Sequence, residues 1–131
     1  MKASDIMRRP VVAATPTATA RDVAIQLLMG EFSGVPIAQS DGSVVGIVTE
    51  LDLIRAVLRA GKALETTLAQ DIMTRDVMTV DVEAPMEEVM RVLEEKNIIR
   101  VPVTDEGKLV GVISRSDVLR AMIEPTFLRF A

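Results

Sequence analysis

Gly111-Val112-Ile113-Ser114-Arg115-Ser116-Asp117 has a counterpart 65 positions earlier, Gly46-Ile47-Val48-Thr49-Glu50-Leu51-Asp52. In each stretch an apolar run, the pattern of a buried strand, ends on a hydroxyl residue. An aspartate follows three positions later, where a helical pattern starts. Strand, hydroxyl, carboxylate and helix make a corner that fits two readings, a helix cap and a ligand site. Spacing alone favours the cap, because an acid in the first turn behind a hydroxyl stabilises a helix by about 1 kcal/mol with no ligand.

The corners belong to a longer internal repeat. Asp5-Ile6-Met7 recurs as Asp71-Ile72-Met73, an offset of 66. Val11 matches Val77, Val23 matches Val89, Leu27 matches Leu93, and Val35-Pro36-Ile37 matches Val101-Pro102-Val103 at the same offset. After the turns Ser40-Asp41-Gly42 and Asp105-Glu106-Gly107 the offset is 65, so Asp52 and Arg55 meet Asp117 and Arg120. One residue has been lost in a loop, where length changes are tolerated.

Each repeat predicts strand, helix, strand, strand, helix. A short extended piece near Val11 to Ala13, or Val77 to Val80, precedes a helix. The apolar positions Ala20, Val23, Ala24, Leu27 and Leu28 follow helical spacing, as do Met86, Val89, Met90 and Leu93. Thr19 with Asp22 reads as an amino-terminal cap, and Pro85 suits a first turn. Hairpins follow at Val35 to Ala38 with Val44 to Val48, and at Val101 to Thr104 with Leu109 to Ile113. Helices from about Glu50 to Ala60 and Arg115 to Ile123 close the units. Leu51, Leu53, Ile54, Val57 and Leu58 spread around the first of these, which leaves one face for a core and another for a partner. The reading is a mixed α/β chain of the α+β kind: repeat 1 over 1–60, a linker over 61–68, repeat 2 over 69–124, and a tail over 125–131 that begins where Pro125 ends the last helix. A repeat of this size is marginal alone, so the two are expected to share one core. Phe127 and Phe130 are expected to cover the last helix.

Composition narrows the function. Hydrophobic residues make up 49% of 131 residues, a surplus for a chain this small, which suggests a covering copy or partner. With 15 basic and 19 acidic residues the net charge is -4, the wrong balance for a nucleic-acid binder. No apolar run approaches a membrane span and no export signal is evident, which points to a soluble, cytoplasmic protein. The absence of Cys and His removes thiolate nucleophiles, imidazole bases and Cys/His zinc sites. The eight Met read as flexible core filler. Glu83, Glu87, Glu88, Glu94 and Glu95 read as a solvated helix face, and no carboxylate pair or metal cluster stands out.

The Asp-Ile-Met openers, the Val-Pro strands, the Gly hairpins and the two corners, in order and twice, resemble the cystathionine beta-synthase (CBS) domain, whose tandem pairs form Bateman modules. The resemblance covers nearly the whole chain. It implies two repeats packed through their sheets about a pseudo-twofold axis, two clefts between them, and frequent assembly into homodimers. It further implies regulatory binding of adenosine-containing ligands: AMP, ADP, ATP, S-adenosylmethionine or NAD. Carried over residue by residue, Ser114 and Thr49 would contact phosphate, and Asp117 and Asp52 would hold the ribose hydroxyls. This is sound chemistry, since a carboxylate accepts from both hydroxyls of a diol while a hydroxyl and helix-start amides suit phosphate. Val101, Pro102 and Val112 in one repeat, and Val35, Pro36 and Ile47 in the other, would flank the adenine, with the short first strand reading its edge.

The two corners differ in charge. The second has Arg115 beside Ser114, Arg100 before Val101, and Thr79 on its first strand, whereas the first has Glu50, Gly34 and Ala13 there. Guanidiniums offer charge-assisted contacts to phosphate, which makes the second corner the expected main site and the first one weaker, empty or selective for a less anionic ligand. The overall reading is a non-enzymatic adenosyl-ligand sensor with no catalytic cofactor, acting on a separate effector protein. A ligand-free oligomerisation or docking scaffold is the first alternative, and a nucleotide hydrolase the second.

Overall fold

The computed structural model describes residues 1–30 and 34–130, and the side chains of all of these except 125–130. In chain order the elements are α1 (Ala3–Ile6), α2 (Ala20–Gly30), β1 (Gly34–Ala38), β2 (Val44–Thr49), α3 (Glu50–Leu58), α4 (Ala69–Ile72), β3 (Val80–Asp81), α5 (Met86–Glu95), β4 (Arg100–Asp105), β5 (Lys108–Ser114) and α6 (Arg115–Phe130). The mixed helix and sheet class is as expected.

The hairpins form where alternation and turn chemistry place them. Glu106 and Gly107 take φ of 52° and 80°, the two positive angles that a two-residue turn needs to match strand twist. β4 and β5 then pair antiparallel from Arg100 opposite Ser114 to Asp105 opposite Lys108. β1 and β2 pair likewise, from Gly34 opposite Thr49 to Ala38 opposite Val44. Both hairpins carry an irregularity at matching positions, after Ile37 and after Val103. β3 adds parallel to β4. In the other repeat this first strand shrinks to a single parallel bridge between Ala14 and Ile37. The short extended piece expected at Val11 to Ala13 and Val77 to Val80 therefore lies slightly later, around Ala14 and Val80. A strand pairs only where its groups face partners, and propensity does not fix that register.

α5 ends as a six-residue loop closure. Asn97 stands at φ 51°, its amide donates to the Glu94 carbonyl at 3.2 Å, and the Ile98 amide donates to the Leu93 carbonyl at 3.1 Å. A left-handed residue at this position satisfies carbonyls that a helix end would orphan. At the other end of the chain, α6 runs to Phe130 and so continues through Pro125, contrary to the sequence expectation. Proline removes one N–H and leaves the Ala121 carbonyl without its ladder partner, which weakens a helix without necessarily stopping it. The expected role of Phe127 and Phe130 falls outside the described side chains.

The compact units do not follow the sequence repeats. One consists of Met1–Val11 with Met78–Ala131, the other of Val12–Val77. Each opener completes the unit built by the other repeat's hairpin, and it does so by the same bonds twice. The Ala3 amide donates to Ala84 at 2.7 Å and the Ala69 amide to Ala18 at 2.8 Å. Met86 donates to Met1 at 2.9 Å and Ala20 to Thr67 at 2.7 Å. Arg8 and Val112 exchange N–H···O bonds of 2.9 and 3.3 Å, as Thr74 and Ile47 do at 2.8 and 2.9 Å. The stretch 61–68 is thus bonded structure within the second unit, with Thr67 buried, and more than a spacer.

Among the described residues the buried apolar side chains form two clusters, one in each unit, in place of the single shared core expected. Ala3, Val89, Leu93, Val101, Val103, Ile113 and Val118 belong to one, with Ile6 and Met7 packed against it. Ala20, Val23, Leu27, Val35, Ile37, Val48, Leu53 and Ala69 belong to the other, with Ile72 and Met73 against it. The exchange of openers is what lets each small unit bury enough apolar surface. One-turn helices α1 and α4 carry the openers, and Ala3 and Ala69 are fully buried.

Gly46 and Gly111 permit the docking. A Cβ at Gly111 would lie 2.6 Å from Met7 Sδ and 3.1 Å from Met7 Cβ, and one at Gly46 would overlap Met73 Sδ and stand 3.0 Å from the Thr74 carbonyl oxygen. Gly46→Ala should therefore destabilise the protein by about 1–3 kcal/mol, the usual range for overpacking. Chemical denaturation of the single variant and of Gly46→Ala with Met73→Ala should show part of that loss recovered in the double variant.

Candidate functional site

Both corners close as capping boxes. At the first, the Asp52 amide donates to Thr49 Oγ1 at 3.2 Å and the Thr49 amide donates to Asp52 Oδ2 at 2.9 Å. At the second, the Asp117 amide donates to Ser114 Oγ at 3.2 Å and the Ser114 amide to Asp117 Oδ2 at 2.8 Å. Each box satisfies orphan donors at the start of α3 or α6. The cap predicted at Thr19 and Asp22 also forms, at 3.1 Å. The corner residues are thus fixed structurally before any ligand is considered.

The corners differ in what reaches the carboxylate. Arg8 Nε donates to Asp117 Oδ1 at 2.7 Å, and Arg120 Nη1 donates to the same oxygen at 3.2 Å. The Asp117 side chain is only 3% exposed, while that of Arg8 is 61% exposed. At the first corner the position equivalent to Arg8 is Thr74, whose hydroxyl lies 3.2 and 3.4 Å from the two oxygens of half-buried Asp52. One carboxylate is neutralised by guanidiniums, and the other meets a hydroxyl. Burial pushes the Asp117 carboxyl up, but the Ser114 amide, the Arg8 guanidinium and the Ser114 hydroxyl outweigh it and hold it below the ordinary carboxylate value.

The predicted site residues separate into groups. Register sets Arg100 opposite Ser114 and Pro102 opposite Val112, so these four converge on one end of the hairpin. Thr49 opposite Gly34 and Pro36 opposite Ile47 repeat the arrangement. Thr79 is exposed and Ala13 half-buried, each just ahead of the residue that bridges to the hairpin. Pro36 and Pro102 are buried, and Val35 and Val101 are fully buried within the cores. Strand alternation puts them on the face opposite Pro36 and Pro102.

Arg115, beside Ser114, is bonded to the loop that follows α5. Its Nε donates to the Ile98 carbonyl at 2.9 Å and its Nη2 to Asn97 Oδ1 at 3.2 Å, while its amide donates to Ile99 at 3.1 Å. It ties α6 to the loop that ends α5. Asn97 has left-handed geometry that aims local acceptors at a neighbouring donor, which sequence distance from Arg115 conceals. The residue overlooked in the sequence is Arg8. Its difference from Thr74 was readable at the offset of 66, but the exchange of openers that brings it to Asp117 was not.

A family model described as CBS domain matches residues 3–59 and again 69–124. The chain belongs to the CBS-domain family. An uncharacterized protein of Methanopyrus kandleri is 33% identical over 122 residues, 92% of this chain and 61% of its own length; the chain thus spans about three fifths of that relative. The CBS domain pair of protein MJ0100, solved with 5-methylthioadenosine and S-adenosyl-L-methionine, superposes with a TM-score of 0.81 at 28% identity, covering 95% of this chain and 98% of that one. CBSX2 solved with AMP superposes at 0.83 and 26% identity, again covering 95% and 98%. Among the described residues of this CBS protein no group of three or more Asp or Glu is placed to hold a metal ion, and no helix is long and apolar enough to cross a membrane.

The Asp117 carboxylate gives a pH test. Its folded value lies below its unfolded one, so its stabilisation is complete above roughly pH 4 and is lost as the pH falls further, through the folded value. Asp117→Asn should lower stability at pH 7 by roughly 1.5–3 kcal/mol, the range for hydrogen bonds to a charged group. Urea unfolding should show the gap between native and variant chains narrowing from pH 5 towards pH 3.

Proposed function

We propose that this CBS pair is a non-enzymatic regulatory module that binds an adenine nucleotide or related adenosyl ligand, with the second corner as its main site. The support is the same hydroxyl-carboxylate corner built twice at a helix start, in a fold shared with domain pairs solved with AMP and with S-adenosylmethionine. At the second corner Ser114 and the helix-start amide of Ser116 face phosphate, Asp117 faces the ribose, and Arg100 supplies charge from the opposite strand, with Thr79 and Val112 beside the base, over the buried Val101-Pro102 strand. Thr49, Asp52, Pro36, Ile47 and Ala13 form the weaker counterpart. Output follows if the ligand binds one arrangement of the protein better than another. It is passed to a separate effector in the cytoplasm, where such ligands are held.

Thermal unfolding against AMP, ADP, ATP, NAD and S-adenosylmethionine tests the proposal. A ligand present at one hundred times its Kd stabilises the native state by about 2.7 kcal/mol, several degrees for a domain of this size. No shift with any of them at millimolar concentration overturns it and favours a ligand-free scaffold. By calorimetry, Asp117→Ala should weaken the tightest site by tenfold or more and Asp52→Ala should leave that site within about twofold, each tenfold step being about 1.4 kcal/mol.

A homodimer is the proposed assembly. Ile54, Val57 and Leu58 on α3 and their counterparts Leu119, Met122 and Ile123 on α6 are 50–78% exposed. An apolar stripe at the same helical positions in both repeats suits a self-complementary interface. Sedimentation velocity of Leu119→Glu should give monomer with unchanged circular dichroism where the native chain gives dimer.

A further inference from the structure

We infer that Arg8, a residue of the first repeat's opener, selects the ligand of the second corner, restricting it to phosphate-bearing ligands, while Thr74 at the matching position leaves the first corner to an uncharged adenosyl ligand. This deepens the adenosyl reading above and rests on it. Arg8 joins the corner by both backbone and side chain: it pairs with Val112, and its Nε binds Asp117 at 2.7 Å. That is the only hydrogen bond from its side chain among the described residues, so both terminal nitrogens of a largely exposed guanidinium remain as donors. A guanidinium held by one edge on a carboxylate presents its other donors in a fixed fork that matches phosphate oxygens. It would then link the ribose-binding carboxylate to the phosphate it lies beside.

The first corner lacks the second's cation at three matching positions, while Arg55 matches Arg120. Thr74 replaces Arg8, Gly34 replaces Arg100, and Glu50 replaces Arg115. The Thr74 hydroxyl engages Asp52 without supplying charge. An anion there meets Asp52 and Glu50 with Thr74 in place of the Arg8 guanidinium, whereas a nucleoside loses nothing by lacking phosphate. The discriminating residue of each corner is therefore donated across the sequence repeat.

Calorimetry with AMP and with adenosine on the native chain, Arg8→Thr and Thr74→Arg tests this. Arg8→Thr should weaken AMP by about tenfold to a hundredfold, the worth of a charge-assisted contact, and leave adenosine within about twofold. Thr74→Arg should raise AMP affinity relative to adenosine at the first corner. A native AMP-to-adenosine ratio in Arg8→Thr overturns the inference while the adenosyl reading stands. A native chain that binds neither compound overturns the inference, and the adenosyl reading falls with it only if ADP, ATP, NAD and S-adenosylmethionine also fail to bind. If Arg8→Thr does not fold, Thr74→Arg decides, because an unchanged ratio in that variant overturns the inference by itself.

Discussion

The pair of backbone bonds between Arg8 and Val112, and its twin between Thr74 and Ile47, is the constraint on which the rest depends. Each extends a hairpin by one bridge and anchors an opener whose Ala, Ile and Met then seal a core. The glycines opposite the methionines leave room for that approach. The position just after the methionine is held against the corner, where it can act on the carboxylate. Without the bridge there would be a cap but no asymmetric corner.

In the proposed function, capping and binding draw on the same groups. The side-chain oxygen takes one amide and the aspartate returns the bond to the strand end, which fixes the rotamers of both residues. A ligand at the proposed site would meet donors and acceptors already in place, their ordering entropy met by folding. Arg115 shows the contrary case. Its guanidinium serves the joint between α5 and α6, beside the corner rather than within its cap.

Most of the fold was legible because its determinants are local or repeated. Hairpin turns, helical spacing at Val23 and Leu27, and the Thr-x-x-Asp and Ser-x-x-Asp boxes all declare themselves within a few residues. What stayed hidden were relations over distance. Arg8 and Asp117 lie 109 positions apart, and no pattern in either stretch names the other. Val35 and Val101 read with the corners as part of one Val-Pro motif, and only the strands' pairing shows that alternation sets them on the opposite face from Pro36 and Pro102. Pro125 misled because its usual effect is a tendency of helices, and the chain around it kept the helical path.

The exchange of openers also bears on what a single repeat could be. A lone copy would have an opener with no hairpin edge to cover and a hairpin edge with no opener upon it, leaving unpaired backbone groups and an open apolar face at once. Two copies cure both defects by lending each other the same segment. The tandem chain is, in this sense, a reciprocal dimer with one peptide link between its halves. That link also ended the equivalence of the two openers, since a duplicated chain can carry arginine after one methionine and threonine after the other, as no pair of identical copies can.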